Sequence, residues 1–148
     1  MTLRRVLPII AVAGTLFAGC KARKLTNDQL VGYWQMDSSA KVDATAGTAV
    51  PKFFLNGDGS FTASSLPPDF APGIETERLP ITGGGSWQIA VVDGGNRVRL
   101  TFKRVAGDHT YSLPYGAELF PDKSGEQVRL YYYEGDPDDE RRNYFTRH

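Results

Sequence analysis

From residue 31 onward the chain runs in short segments where apolar and polar residues alternate, cut by Gly, Asp, Asn or Pro. In an extended strand successive side chains point to opposite faces, so a period of two marks a strand with one buried face. Trp34 and Met36 share one face of "GYWQM", with Tyr33, Gln35 and Asp37 on the other. In "RVRLTFK", Val98, Leu100 and Phe102 oppose Arg97, Arg99 and Lys103, and Val128, Leu130 and Tyr132 repeat the scheme in "VRLYYY". Trp87, Ile89 and Val91 alternate along "SWQIAVV". The turns "NGDG", "DGGN" and "GDPDDER" separate such runs, the first between "KFFL" and "SFTA", the last before "NYFTR". Weaker strands are expected over Glu75–Thr82 and, bent at Pro114, over Tyr111–Phe120. Helical spacing is confined to one turn, capped by Thr26 or Asn27 and running through Leu30. The reading is all-β: seven to nine antiparallel strands, mostly joined in sequence. Closing that meander into a small up-and-down barrel removes its exposed edges.

The N-terminus follows different rules. Arg4 and Arg5 precede the apolar run Val6–Ala18, which falls short of the roughly 20 residues that span a bilayer. It reads as a signal-peptide core. The run ends in "LFAGC", Leu16–Cys20, which resembles the lipobox of bacterial lipoproteins, with Ala18 and Gly19 as the small residues before the cysteine. That resemblance implies cleavage before Cys20 and lipidation of Cys20, the only cysteine in the chain, which has no disulfide partner within it. The expected organisation is therefore a signal peptide at 1–19, a lipidated cysteine and tether at 20–30, and one barrel domain at 31–148. The resemblance implies palmitate-type acylation and export to the cell envelope. With Lys21 after the cysteine, it implies the periplasmic side of the outer membrane in a diderm cell. In a monoderm it implies the outer leaflet of the plasma membrane. Loss of Arg4 and Arg5 leaves 15 basic side chains against 17 acidic ones, a balance that gives no electrostatic case for nucleic acid.

Gly32-Tyr33-Trp34, on the first strand after a helical turn, resembles the Gly-x-Trp segment of lipocalins and the wider calycin group. In those folds the tryptophan closes one end of the barrel and a basic residue of the last strand packs over it. Arg147 stands where that partner would be. A second such segment occurs at Gly85-Ser86-Trp87. The chain is also similar to a group of small exported bacterial proteins, through "DGSFTASSLPPDF", "GGGSWQI", "VRLTF" and "LYYYEGDPD"; no activity comes with that likeness. Unlike lipocalins, the chain lacks the helix that follows their barrel.

Enzymatic chemistry has little support. No Gly-x-Ser-x-Gly elbow occurs, and Asp108, His109 and Ser112 are merely neighbours in a loop-like segment. The acidic group Glu134, Asp136, Asp138, Asp139 and Glu140 reads as a turn, since aspartates, Gly135 and Pro137 favour one. The sequence thus predicts no catalytic residue, metal or cofactor. Four residues are candidate contacts for a ligand or partner. Phe70 stands in the stiff segment "SSLPPDFAPG", either a lid or a plain crossover. Trp87 comes from the second Gly-x-Trp. Tyr131 and Tyr133 point outward from their strand, beside Arg99 and Arg129 if those strands are neighbours. Two functions follow as expectations: a membrane-anchored barrel that receives a small hydrophobic ligand, or a protein-interaction module such as an inhibitor or immunity lipoprotein. They differ in whether Trp34, Trp87, Phe102, Leu130 and Tyr132 fill the interior.

Overall fold

A computed structural model describes residues 25–37, 49–71, 80–106, 115–125 and 127–148. The expected signal peptide at 1–19, Cys20, the segment with Asp108, His109 and Ser112, and the expected strand residues 75–79 and 111–114 lie outside them. Eight strands form the sheet: β1 (Gly32–Met36), β2 (Lys52–Leu55), β3 (Ser60–Leu66), β4 (Ile81–Val92), β5 (Gly95–Val105), β6 (Tyr115–Asp122), β7 (Arg129–Tyr133) and β8 (Arg142–Arg147). Each is antiparallel to the next, and β8 pairs with β1 through Trp34–Arg147, Gln35–Thr146 and Met36–Phe145. The product is a closed, eight-stranded, up-and-down barrel.

Alternation places the core. Trp34, Phe53, Leu55, Phe61, Val98, Leu100, Phe102, Leu119, Leu130, Tyr132 and Phe145 all point inward and are buried in one cluster. The outward positions between them include Lys52, Thr62, Gln88, Arg99 and Glu118. An apolar inside and a polar outside is the reverse of a barrel that spans a membrane with its lipid-facing side.

Strand direction separates two ends. At one end lie the 3-10 turn Asn27–Gln29, the Asn56–Gly59 and Asp93–Gly94 turns, and Arg147. This end is closed. Gln29 Oε1 accepts from the Thr26 N–H at 3.1 Å, which fixes the entering turn. Trp34 donates its indole N–H to the Leu30 carbonyl at 2.8 Å, and Trp87 donates to the Asn56 carbonyl at 2.8 Å. A buried indole N–H needs such a partner, so each tryptophan is both a core filler and a tie to the segment that seals this end.

Arg147 completes the seal. Its Nη1 donates to the carbonyls of Asp28, Gln29 and Val31 at 3.1–3.3 Å, and its aliphatic stem runs beside Gly32, where an added Cβ would lie 3.4 Å from Cδ. The guanidinium thus satisfies carbonyls that a single short turn leaves unpaired. Arg147→Met keeps the stem and removes the donors. It is expected to cost about 1–3 kcal/mol in urea unfolding, with Arg147→Lys recovering only part, because an ammonium lacks the planar fork.

The other end is the mouth. There β3 runs into a 3-10 turn, Pro68–Phe70, whose Phe70 is buried edge-on against Tyr132 and Phe145 at 5.1 and 5.9 Å. The acidic turn, Pro137–Asp139, stands at the same end, with Asp136 Oδ1 accepting from the Asp138 N–H.

Strand β4 bends through Gly83-Gly84-Gly85. A Cβ on Gly85 would stand 1.9 Å from the Thr101 carbonyl oxygen, and one on Gly83 2.2 Å from that of Arg104. The β4–β5 register shifts here, Gly84 facing Arg104 and Gly85 facing Phe102. Gly85 also faces Phe61 on β3, and with no side chain between them the Phe61 and Phe102 rings meet edge to face at 5.0 Å. Glycine in this strand therefore allows both close backbone approach and a ring pair across it.

One expectation about alternation differs in detail. Val91 continues the face of Trp87 and Ile89, yet it is 72% exposed. The reason is pairing: β3 last pairs with β4 at Ser86 and β6 with β5 at Val98, so the tip of the β4–β5 hairpin is paired only within itself.

Candidate functional site

The outward residues of the last four strands gather into one patch. From β6 comes Phe120, from β7 Tyr131 and Tyr133, and from β8 Tyr144, all half-buried. They meet because β6, β7 and β8 are successive neighbours with Phe120 paired to Tyr131 and Tyr131 to Tyr144. Phe120 stacks on Tyr131 at 5.3 Å and meets Tyr133 edge-on at 5.2 Å. Tyr131 lies 5.5 Å from Tyr133 and 5.4 Å from Tyr144.

Arginines cover these rings. The Arg97 guanidinium lies 4.7 Å from the Phe120 centroid, Arg129 4.4 Å from that of Tyr144, and Arg142 4.9 Å from that of Tyr131. Two carboxylates hold Arg97 and Arg129 in place, with Arg99 beside them. Glu118 receives Arg97 at 3.0 Å and Arg99 at 2.7 Å, and Asp122 receives Arg129 at 2.8 Å. The Arg99 and Arg97 hydrogen bonds keep the Glu118 carboxyl below the usual range, and the Ser124 N–H does the same for Asp122. The patch carries four guanidinium groups and two carboxylates, so its net charge is positive. Half-exposed ion pairs of this kind stabilise the fold little; their effect here is to orient planar cations over aromatic faces.

Of the candidate contacts, Tyr131 and Tyr133 lie in this patch, whereas Phe70 and Trp87 are buried at 3% and 5% exposure. Strand order also changes the expected neighbours of the tyrosines. β6 separates β5 from β7, so Arg99 bonds Glu118, and the cation over Tyr131 and Tyr133 is Arg142. Local alternation does not by itself bring Phe120, Tyr144, Arg97 and Arg142 into this patch. The alternation of Arg142 and Tyr144 in "RRNYF" was available as a signal, but only adjacency of β7 and β8 gives it meaning. Gly32, Trp34 and Arg147 come together at the closed end, 115 residues apart in the chain from the first to the last. Among the described residues, no group of His, Cys, Asp and Glu is placed to hold a metal ion.

Burial raises two phenols. Tyr131 is pushed up to about 12 by burial and by the hydroxyl of Tyr133. Tyr132, inside the barrel with its hydroxyl accepting from Asn143 Nδ2 at 3.0 Å, is also raised, chiefly by burial. A folded-state value above that of the unfolded chain favours the fold fully below about pH 10, and that contribution is lost as pH rises from about 10 through the folded value. The urea midpoint is therefore expected to fall between about pH 10 and 12, and Tyr132→Phe to flatten that fall. Phenolate absorbance in parallel titrations checks it; an unchanged midpoint across that window contradicts it.

Comparison with known protein families, with curated proteins and with solved structures finds no match to this chain. What the fold defines is a closed, eight-stranded antiparallel β-barrel with an apolar interior.

Proposed function

We propose that this protein is a lipid-anchored envelope barrel that acts through its outer wall, as a module binding another protein. The observation that carries the reading is the patch of Phe120, Tyr131, Tyr133 and Tyr144 under Arg97, Arg129 and Arg142. Tyrosine and arginine dominate the energetically important centres of protein interfaces, because each offers a large rigid face and a polar group. The net positive charge favours a partner whose contact face is acidic. An inhibitor or immunity lipoprotein is one such module.

The interior supports the same choice. An eight-stranded barrel has room for its own side chains or for one small ligand. Here Trp34 stacks on Phe53 at 6.1 Å, Phe53 meets Phe145 at 4.9 Å, and Phe70 stands over both Tyr132 and Phe145 at the mouth. The anchor rests on the "LFAGC" motif that ends in Cys20, and export to the envelope rests on the signal peptide before it.

A photocrosslinking phenylalanine analogue at Tyr131, in cells making the full chain, tests the reading. One discrete protein adduct is expected there and none from Gln88, on the outer face of β4; Arg142→Glu should abolish it. Adducts of equal yield from both positions, or none from Tyr131, would reject the outer wall as the site.

A second reading, carriage of a small hydrophobic ligand, draws on the lipocalin-like closure by Gly32, Trp34 and Arg147. It requires interior side chains to move aside. Native mass spectrometry of a form starting after Cys20, purified from the periplasm, tests it: a reproducible extra mass lost on denaturation supports carriage. A bare mass after incubation with a lipid extract opposes it.

A further inference from the structure

We infer that the barrel stands with its closed end against the bilayer, and that the tip of the β4–β5 hairpin touches the lipid surface through Val91. The inference rests on the lipid-anchor reading of Cys20 and goes beyond it, since an anchor alone leaves orientation free.

Three observations converge. The first is where the chain enters the barrel. Leu25 is 3% exposed and belongs to the core cluster, and the turn that follows it is fastened by Arg147 at the closed end. Only five residue steps separate Leu25 from Cys20. At about 3.3–3.6 Å per residue, even a fully extended link reaches only about 17 Å. The attachment point, and with it the closed end, is thus held close to the membrane.

The second is the hairpin. Beyond the Ile89–Val98 pair it continues through Ala90–Arg97, Val91–Asn96 and Val92–Gly95 to a two-residue turn, Asp93-Gly94, with both φ values positive at 49° and 76°. Four residues past Ile89 make about 14 Å of strand, comparable with the reach of the tether. The turn lies at the same end as the anchor, because β4 runs away from the mouth.

The third is chemistry. Val91 is the most exposed of the large apolar residues in the described chain, at 72%. Alternation from Trp87 through Ile89, with Ile89 opposite the buried Val98, puts it on the inward face of the hairpin tip and not on the outer wall. Asp93 and Asn96 beside it suit a hydrated headgroup layer, and the tether itself carries Lys21, Arg23 and Lys24. An apolar side chain flanked by polar groups and held near a bilayer by a lipid fits the interfacial layer. In this orientation the aromatic wall on β6, β7 and β8 stands upright, and the mouth with its acidic turn faces away.

The test uses the full lipoprotein in phosphatidylethanolamine/phosphatidylglycerol vesicles. Lipidation occupies Cys20, so an introduced cysteine is the one free thiol. Val91→Cys and Asp138→Cys, the latter in the turn at the mouth, each receive an environment-sensitive dye. The dye at 91 is expected to shift to shorter wavelength on vesicles and to resist iodide quenching several-fold better than the dye at 138. Equal quenching at both positions, or protection at 138 alone, overturns the inference while leaving the anchor intact. Mass analysis of the N-terminal peptide reads the anchor separately. A peptide without acyl groups on Cys20 overturns the anchor reading and this inference together.

Discussion

Trp34→Ala is expected to lower unfolding free energy by about 4 kcal/mol, within the range for emptying a large aromatic site. The indole is fully buried, stacks on Phe53, and ties Leu30 to the barrel through its N–H. Removal opens a cavity at the closed end and leaves the Leu30 carbonyl without its donor. A domain whose whole margin is about 5–15 kcal/mol would lose much of it. Trp34→Phe separates the two contributions: it keeps most of the ring and loses the hydrogen bond, so roughly half the effect is expected. Urea unfolding followed by far-ultraviolet circular dichroism reads both variants. A loss below about 1 kcal/mol for the alanine would show that the closed end does not depend on the indole.

Gly85→Ala should cost about 3 kcal/mol although it adds a single methyl group. The new Cβ would meet the Thr101 carbonyl oxygen and the Lys103 backbone nitrogen, and neither belongs to a flexible side chain. Strands β4 and β5 would have to part at the register shift, which also separates the Phe61 and Phe102 rings. Gly57→Ala is the informative control. Its Cβ would have nothing within 4 Å and its backbone needs no positive φ, so a small gain of about 0.4–1 kcal/mol is expected from the restricted unfolded chain. Equal midpoints for the two variants would mean that β4 tolerates a side chain at its bend.

The sequence made strands and faces legible because both are local. Alternation in "RVRLTFK" and "VRLYYY" put Val98, Leu100, Phe102, Leu130 and Tyr132 inside, and all five are buried. Two-residue turn chemistry at Asp93-Gly94 gave the β4–β5 connection for the same reason. Two features depended on lengths that local pattern does not encode. Val91 follows the core periodicity but lies past the last pairs that join the hairpin to β3 and β6, and Phe70 is core only because the chain after β3 turns back over the mouth. The outer patch depended on strand order. Tyr131 and Tyr133 were legible as outward residues, whereas their cation, Arg142, becomes their neighbour only once β8 lies beside β7.

The seal made by Arg147 also sets an order of events. Its bonds to Asp28, Gln29 and Val31 join residues 116–119 positions apart, so they form only when nearly the whole described chain is present. Contacts of such long separation form late and slow the final step of folding, because chain entropy is lost before they contribute. A chain that still lacks its last strand therefore cannot shut this barrel, because the free edge of β1 has no β8 to pair with. Its first strand waits for its last.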